Sequence, residues 1–191
     1  MGKKSIVFGV VLLVTLAALN VCSNTGASNV SKDKAYTEQY DDNETGISVQ
    51  YIRTNGYRDG VVYPIITVIS SKNELEQYYD NYKDKYYLGQ NFNRSIDIDD
   101  EYFVPEFIEA IEVYSDNFFA DNFLIIVLLE EGSGSIRHKV KTVDENGHIV
   151  IKRLIPEIGT ADMAQWHIII QCNNNIKAEQ YQVQIQDHFL K

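Results

Sequence analysis

Between residues 45 and 53 apolar and polar residues alternate, with Ile47, Val49 and Tyr51 on one side, the period-two pattern of a half-buried strand. Residues 61–69 read as a second strand. Pro64 within that run predicts an edge or bulged position, because proline has no N–H to give to a ladder. The period then changes. Ser71-Lys72-Asn73-Glu74 has capping-box spacing, and Leu75, Tyr78, Tyr79, Tyr82 and Tyr86 recur behind it at helical intervals. A helix is therefore predicted from there to Tyr87, with Gly89 placed to end it. Residues 89–102 are polar and acidic and read as a loop. Pro105 opens a second helix whose inner side carries Phe107, Ile108, Ile111 and Tyr114.

Residues 123–129 are the most apolar run and predict a central strand covered on both faces. Gly132-Ser133-Gly134-Ser135 turns the chain into a strand at 136–143, and Asn146-Gly147 is a hairpin signal into another at 149–155. After a loop at 156–165 come an apolar strand at 166–172 and a last strand in which Tyr181, Val183 and Ile185 alternate with glutamines. The expected fold is α+β: an antiparallel sheet of about seven strands and two helices, ending in a C-terminal β-meander.

The N-terminus adds a destination. Lys3 and Lys4 precede an uncharged stretch, residues 6–19, that Asn20 ends. That is the pattern of a signal peptide over residues 1–21, too short for the roughly 20 apolar residues of a membrane span. Leu19-Asn20-Val21-Cys22 looks like a bacterial lipobox, with Cys22 as the lipidated first residue of the mature protein. Ordinary cleavage after Ser23 or Ala27 is the alternative, since Val21 is bulkier than the residue usual before such a cysteine. Residues 22–44 are polar and read as a flexible tether, leaving 45–191 as one domain with one core. The protein is thus expected outside the cytoplasm, anchored to the membrane through lipid at Cys22 or else secreted. Losing residues 1–21 removes Lys3 and Lys4 but no acid, and moves the net charge from −10 to −12. Such a surface is repelled by phosphate backbones, so nucleic acid is not an expected partner. Of two cysteines, acylation of Cys22 would leave Cys172 a lone thiol, and no disulfide framework is expected.

Candidate chemistry is sparse. Gly132, Ser133, Gly134, Ser135 and Arg137 form a candidate partner contact, flanked by Glu130, Glu131 and His138; the plainer alternative is a glycine hairpin using positive φ. Ser133 lacks the glycine two residues earlier that a nucleophile elbow has. His138 is in phase with Ile136 and Val140 and is expected in the core. His167 points opposite to Trp166, Ile168 and Ile170, and Asp162 in the preceding loop is expected to return to it as a carboxylate–imidazole pair, structural or functional. His148 and His188 have no ligand spacing. Asp41, Asn43 and Gly46 begin like a calcium loop, but Ile52 stands where a bidentate glutamate belongs; Asp97, Asp99, Asp100 and Glu101 read as a solvated acidic loop. No catalytic residue, metal or cofactor is expected. Cys172 continues the Trp166 side and is expected buried and inert. It lies five residues from His167, on the opposite face and ~16 Å along a strand, which excludes a Cys–His hydrolase. Tyr78, Tyr79, Tyr82, Tyr86 and Tyr87 cannot all point inward, which leaves open either an aromatic contact surface or rim packing.

The run from Asp116-Asn117-Phe118-Phe119-Ala120-Asp121 through Val127, the Gly-Ser-Gly turn at 132–134 and the hairpin at Asn146-Gly147 resemble the PrcB C-terminal domain family over roughly residues 112–190. Members often carry Thr-Gly-Gly where this chain has Gly-Ser-Gly-Ser. The family takes its name from a surface polypeptide that associates with and stabilises a protease complex, and it brings no catalytic residues. The resemblance implies an envelope protein-interaction module that stabilises or regulates a surface protease, not an enzyme. A module binding cell wall or carbohydrate through the tyrosine surface is the alternative.

Overall fold

The computed structural model describes residues 35–39, 47–55, 60–89 and 103–191, all within one unit spanning 33–191. In chain order these residues form β1 (Ala35–Gln39), β2 (Ser48–Thr54), β3 (Ile65–Ile69), α1 (Lys72–Tyr86), α2 (Glu106–Glu112), α3 (Asp116–Asp121), β4 (Asn122–Glu131), β5 (Arg137–Val143), β6 (His148–Ile155), β7 (Ala164–Asn173) and β8 (Gln182–Phe189). The class is α+β. A five-stranded sheet in the order β1-β2-β7-β4-β3 has every neighbour antiparallel; a three-stranded sheet runs β5-β6-β8.

β4 and β7 hold the centre of the large sheet because they are apolar on both faces. Leu124, Ile126, Leu128 and Ile169 turn to the helices, packing with Leu75, Tyr78, Tyr86 and Phe107. Phe123, Ile125, Val127, Trp166, Ile168 and Ile170 turn to the small sheet, against Val140, Val143, Ile149 and Ile151. A strand sandwiched between two layers has no wet face, so its sequence loses the alternation that half-buried strands keep.

α1 starts at the expected cap: Ser71 Oγ accepts the Glu74 N–H at 3.2 Å, while Glu74 Oε2 reaches back one residue further than a capping box requires and accepts the Ser70 N–H at 2.6 Å. It ends at Tyr86, against an expected end at about Tyr87, and its left-handed cap falls two residues before the Gly89 expected to end it. Tyr87, at φ 52°, takes the left-handed position, and Gly89 follows at φ 92°. Residues 35–39 were expected in the tether, but they pair with β2 as an edge strand. α3 was not anticipated either, since six residues are too few to show a period.

The C-terminal strands do not form a meander. β5 and β6 make the expected hairpin, turning at Gly147 with φ 81°, where a side chain would run into the Gln180 carbonyl. β7 then leaves for the large sheet, and β8 returns to pair parallel with β6. The reason lies in composition: residues 164–173 are apolar on both faces and fit only the doubly covered centre, whereas β8 alternates and suits an edge.

Candidate functional site

The chain crosses between the two sheets twice at one end of the sandwich. It leaves β4 through Gly132-Ser133-Gly134-Ser135-Ile136 and returns from β6 through residues 156–163, and the two crossings are bonded together. The Gly134 N–H donates to the Asp162 carbonyl at 2.7 Å. Ser133 Oγ accepts the Thr160 N–H at 2.8 Å and bonds the Thr160 and Ser135 hydroxyls at 3.1 and 2.8 Å. Arg53 of β2 donates to the Asp162 carboxylate. Arg137 donates to the carbonyls of Gly134 at 2.7 Å and Ile136 at 3.3 Å, with its guanidinium 5.2 Å over the Trp166 ring. Residues 132–135 and 137 and Asp162, drawn from two separate expectations, therefore belong to one platform.

Gly134 serves here for space, not for backbone hand: the positive-φ glycines among the described residues are Gly60, Gly89 and Gly147. A Cβ on Gly134 would fall on the Asp162 carboxylate and the Arg53 guanidinium. The hydrogen bond from Thr160, and then Arg53, hold the Asp162 carboxyl below its ordinary pKa, so the pair stays charged. Ile158, in the same loop, is 85% exposed. The Ser133 hydroxyl is engaged by other hydroxyls and an amide, an arrangement that fixes a loop and does not activate a nucleophile.

The expected Asp162–His167 pair is not formed. Arg53 lies opposite Trp166 in the β2–β7 register and Ile52 opposite His167, so the two sets of side chains leave the sheet on opposite faces. Asp162 joins Arg53 on the small-sheet side. His167 points under α1, fully buried, with Nδ1 3.0 Å from the Tyr78 hydroxyl and its ring edge-on to Tyr78, Tyr86 and Phe107 at 6.0, 5.1 and 5.2 Å. Burial lowers its pKa to about 3, so the imidazole is neutral there, and Nε2 is buried without a hydrogen-bond partner among the described residues.

His138 is in the core as its phase predicted, edge-on to Trp166 at 5.4 Å. Its partner went unforeseen. Glu131, buried at the end of β4, is hydrogen-bonded to His138 Nε2 at 2.8 Å and accepts from Arg153 at 3.5 Å. Arg153 in turn grips Asp187 of β8 through two bonds, 2.8 and 3.0 Å. This chain of charge ties β4, β5, β6 and β8 together beneath the crossings. The available signal was phase: Glu131 continues the Val127 and Leu129 side of β4, and a buried charge requires a partner.

Of the tyrosines, Tyr78 and Tyr86 are buried and spend their hydroxyls internally, the latter on Tyr63 at 2.8 Å; Tyr79, Tyr82 and Tyr87 are half-buried. Cys172 is a buried free thiol pushed up to about 12 by burial, and unreactive. Among the described residues no three His, Cys, Asp or Glu side chains could hold a metal ion. Cys22 and the acidic runs at 41–46 and 97–101 lie outside the described residues.

Comparison of the chain with protein-family profiles, with curated proteins and with solved structures returns no match.

Proposed function

We propose that this chain is an exported protein-interaction module, lipid-anchored at Cys22, that stabilises or regulates a protease complex at the cell surface through the platform formed by its two sheet crossings. One observation carries the proposal. Two loops that would each be mobile alone are cross-bonded through Ser133, Thr160, Gly134 and Asp162, and they present Ile158 almost fully to solvent. An apolar side chain held out on a preorganised loop costs little ordering entropy on binding, which suits a contact surface. The family resemblance supplies the kind of partner. Binding of sugar through the tyrosines gains less support, because Tyr78 and Tyr86, the inner members of the stripe, are committed to the core.

Affinity purification from native membranes tests this, comparing the wild type with Ile158→Glu. The proposal expects a co-purifying polypeptide with protease activity that the variant loses while remaining folded. Equal recovery by both proteins contradicts the platform, and recovery of wall polymer in place of polypeptide supports the carbohydrate alternative.

A further inference from the structure

The small sheet ends at β8, and among the described residues no strand pairs with its outer side. Two hydrogen bonds determine which backbone groups face outward. The Gln182 N–H donates to the Gly147 carbonyl at 2.9 Å and the Leu190 N–H to the Ile155 carbonyl at 2.8 Å. Between them the parallel register with β6 is unbroken, from His148 opposite Gln182 to Ile155 opposite Phe189. Alternate residues of a strand address the same neighbour. The even-numbered residues therefore bond β6, and Val183, Ile185, Asp187 and Phe189 present N–H and C=O groups to the open side. Edge strands are usually blunted by lysine, proline or a bulge; β8, Gln-Val-Gln-Ile-Gln-Asp-His-Phe, has none of them. Its one acid is neutralised by Arg153.

The layers beside this edge are unequal, five strands against three. The start of β8 sits over the outer half of the large sheet: the ring of Tyr181 lies 6.3 Å from Phe123, and Lys177 donates to Ser70, next to β3, at 2.8 Å. The edge strand β3 turns Ile66 and Val68 toward the space between the sheets, where both are only partly covered. On β8, Ile185 and Phe189 are on the same side as the core-packed Val183, and they are 37% and 70% exposed. Among the described residues no strand covers this corner: an open ladder stands beside apolar surface that a fourth strand would cover.

We propose that β8 receives an extended segment of a partner polypeptide as the fourth strand of the small sheet, one with apolar side chains at alternate positions and no net negative charge. Backbone pairing provides affinity in such an addition, and alternate side chains provide selectivity. The charge requirement follows from the chain's own −10. The same charge opposes a second copy as occupant. The capture edge ends at Phe189 and Leu190, beside Ile155, three residues before Ile158 and so within about 11 Å of it along the chain. The strand site needs no contact from Ile158, so each surface can fail alone.

Residue-resolved amide hydrogen exchange on the full-length protein tests the proposal. The probe is a synthetic heptapeptide alternating valine and threonine between terminal lysines. Without peptide, the amides of Gln184, Gln186 and His188 should be protected and those of Val183, Ile185, Asp187 and Phe189 should exchange fast. Peptide at about a hundred times its Kd should slow the second set about a hundredfold and leave the first unchanged. Ile185→Lys leaves the β6 ladder intact, since the backbone of residue 185 takes no part in it, and should weaken the response about tenfold, equivalent to one decade of affinity. Phe189→Lys, at a more exposed position, should act in the same direction. Ile158→Glu should leave the response intact. Three results would overturn the proposal: outward amides already protected in the free monomer, protection that rises with protein concentration alone, or no response to saturating peptide.

Discussion

Acid should unfold this domain through His167, and the size of the effect follows from where that ring sits. An ordinary histidine titrates near 6.5, whereas burial lowers His167 to about 3. As the pH falls below about 6.5 the unfolded chain binds a proton that the native state refuses until about 3, so native stability declines across that window and levels off beneath it. Between pH 7 and pH 4 the loss amounts to about 3 kcal/mol at 1.36 kcal/mol per pH unit, a large share of the 5–15 kcal/mol typical of a domain. His167→Phe retains the edge-on packing against Tyr86 and Phe107 but has nothing to titrate, so its stability should fall by about 3 kcal/mol less over the same range. At pH 7 it should be less stable than wild type by about 1–3 kcal/mol, because the buried Tyr78 hydroxyl loses its partner; adding Tyr78→Phe should restore most of that. Urea unfolding followed by Trp166, the single tryptophan and fully buried, measures all of these. Parallel pH curves for wild type and His167→Phe would refute the reasoning, since they would mean the imidazole titrates alike in both states.

Trp166→Ala should cost about 3–5 kcal/mol in the same assay, for it empties the centre of the inter-sheet core. Gly134→Ala should cost only about 1 kcal/mol, the low end for overpacking, because the half-exposed Asp162 can swing away; hydrogen exchange should nevertheless show residues 158–162 loosened. Cys22→Ser should move the protein from the membrane fraction to the soluble fraction, and a wild type already soluble after export would contradict lipid anchoring.

Much of the fold was legible because local chemistry and tertiary role agreed. The capping box at Ser71–Glu74, the turn at Asn146-Gly147 and the doubly apolar runs of β4 and β7 each act through neighbours in sequence or through total burial, and both are written locally. The phase of His138 and of Trp166 against His167 was also correct, since period two fixes a face. What the phase could not say was what lay across that face. Asp162 looked like a partner for His167 by proximity in sequence, but Arg53, 109 residues away, took it. Tyr78, 89 residues away, took the histidine. The meander failed for a similar reason: composition marks residues 164–173 for a doubly covered centre and β8 for an edge, but it does not name the neighbour each one pairs with. The platform was half visible: the glycines and serines marked a turn, and its bonding to Thr160 needed the second crossing to be placed.

Site-specific photo-cross-linking in the native envelope tests the interaction claim most directly. A photoreactive side chain at Ile158 reports on the platform tip, and one at Val113, 67% exposed on the helical layer, serves as a control of similar character. The account predicts a discrete polypeptide adduct from position 158, absent from position 113 and suppressed by Gly134→Ala. Equal labelling from both positions, or no polypeptide adduct from position 158 in a folded, exported protein, would contradict it.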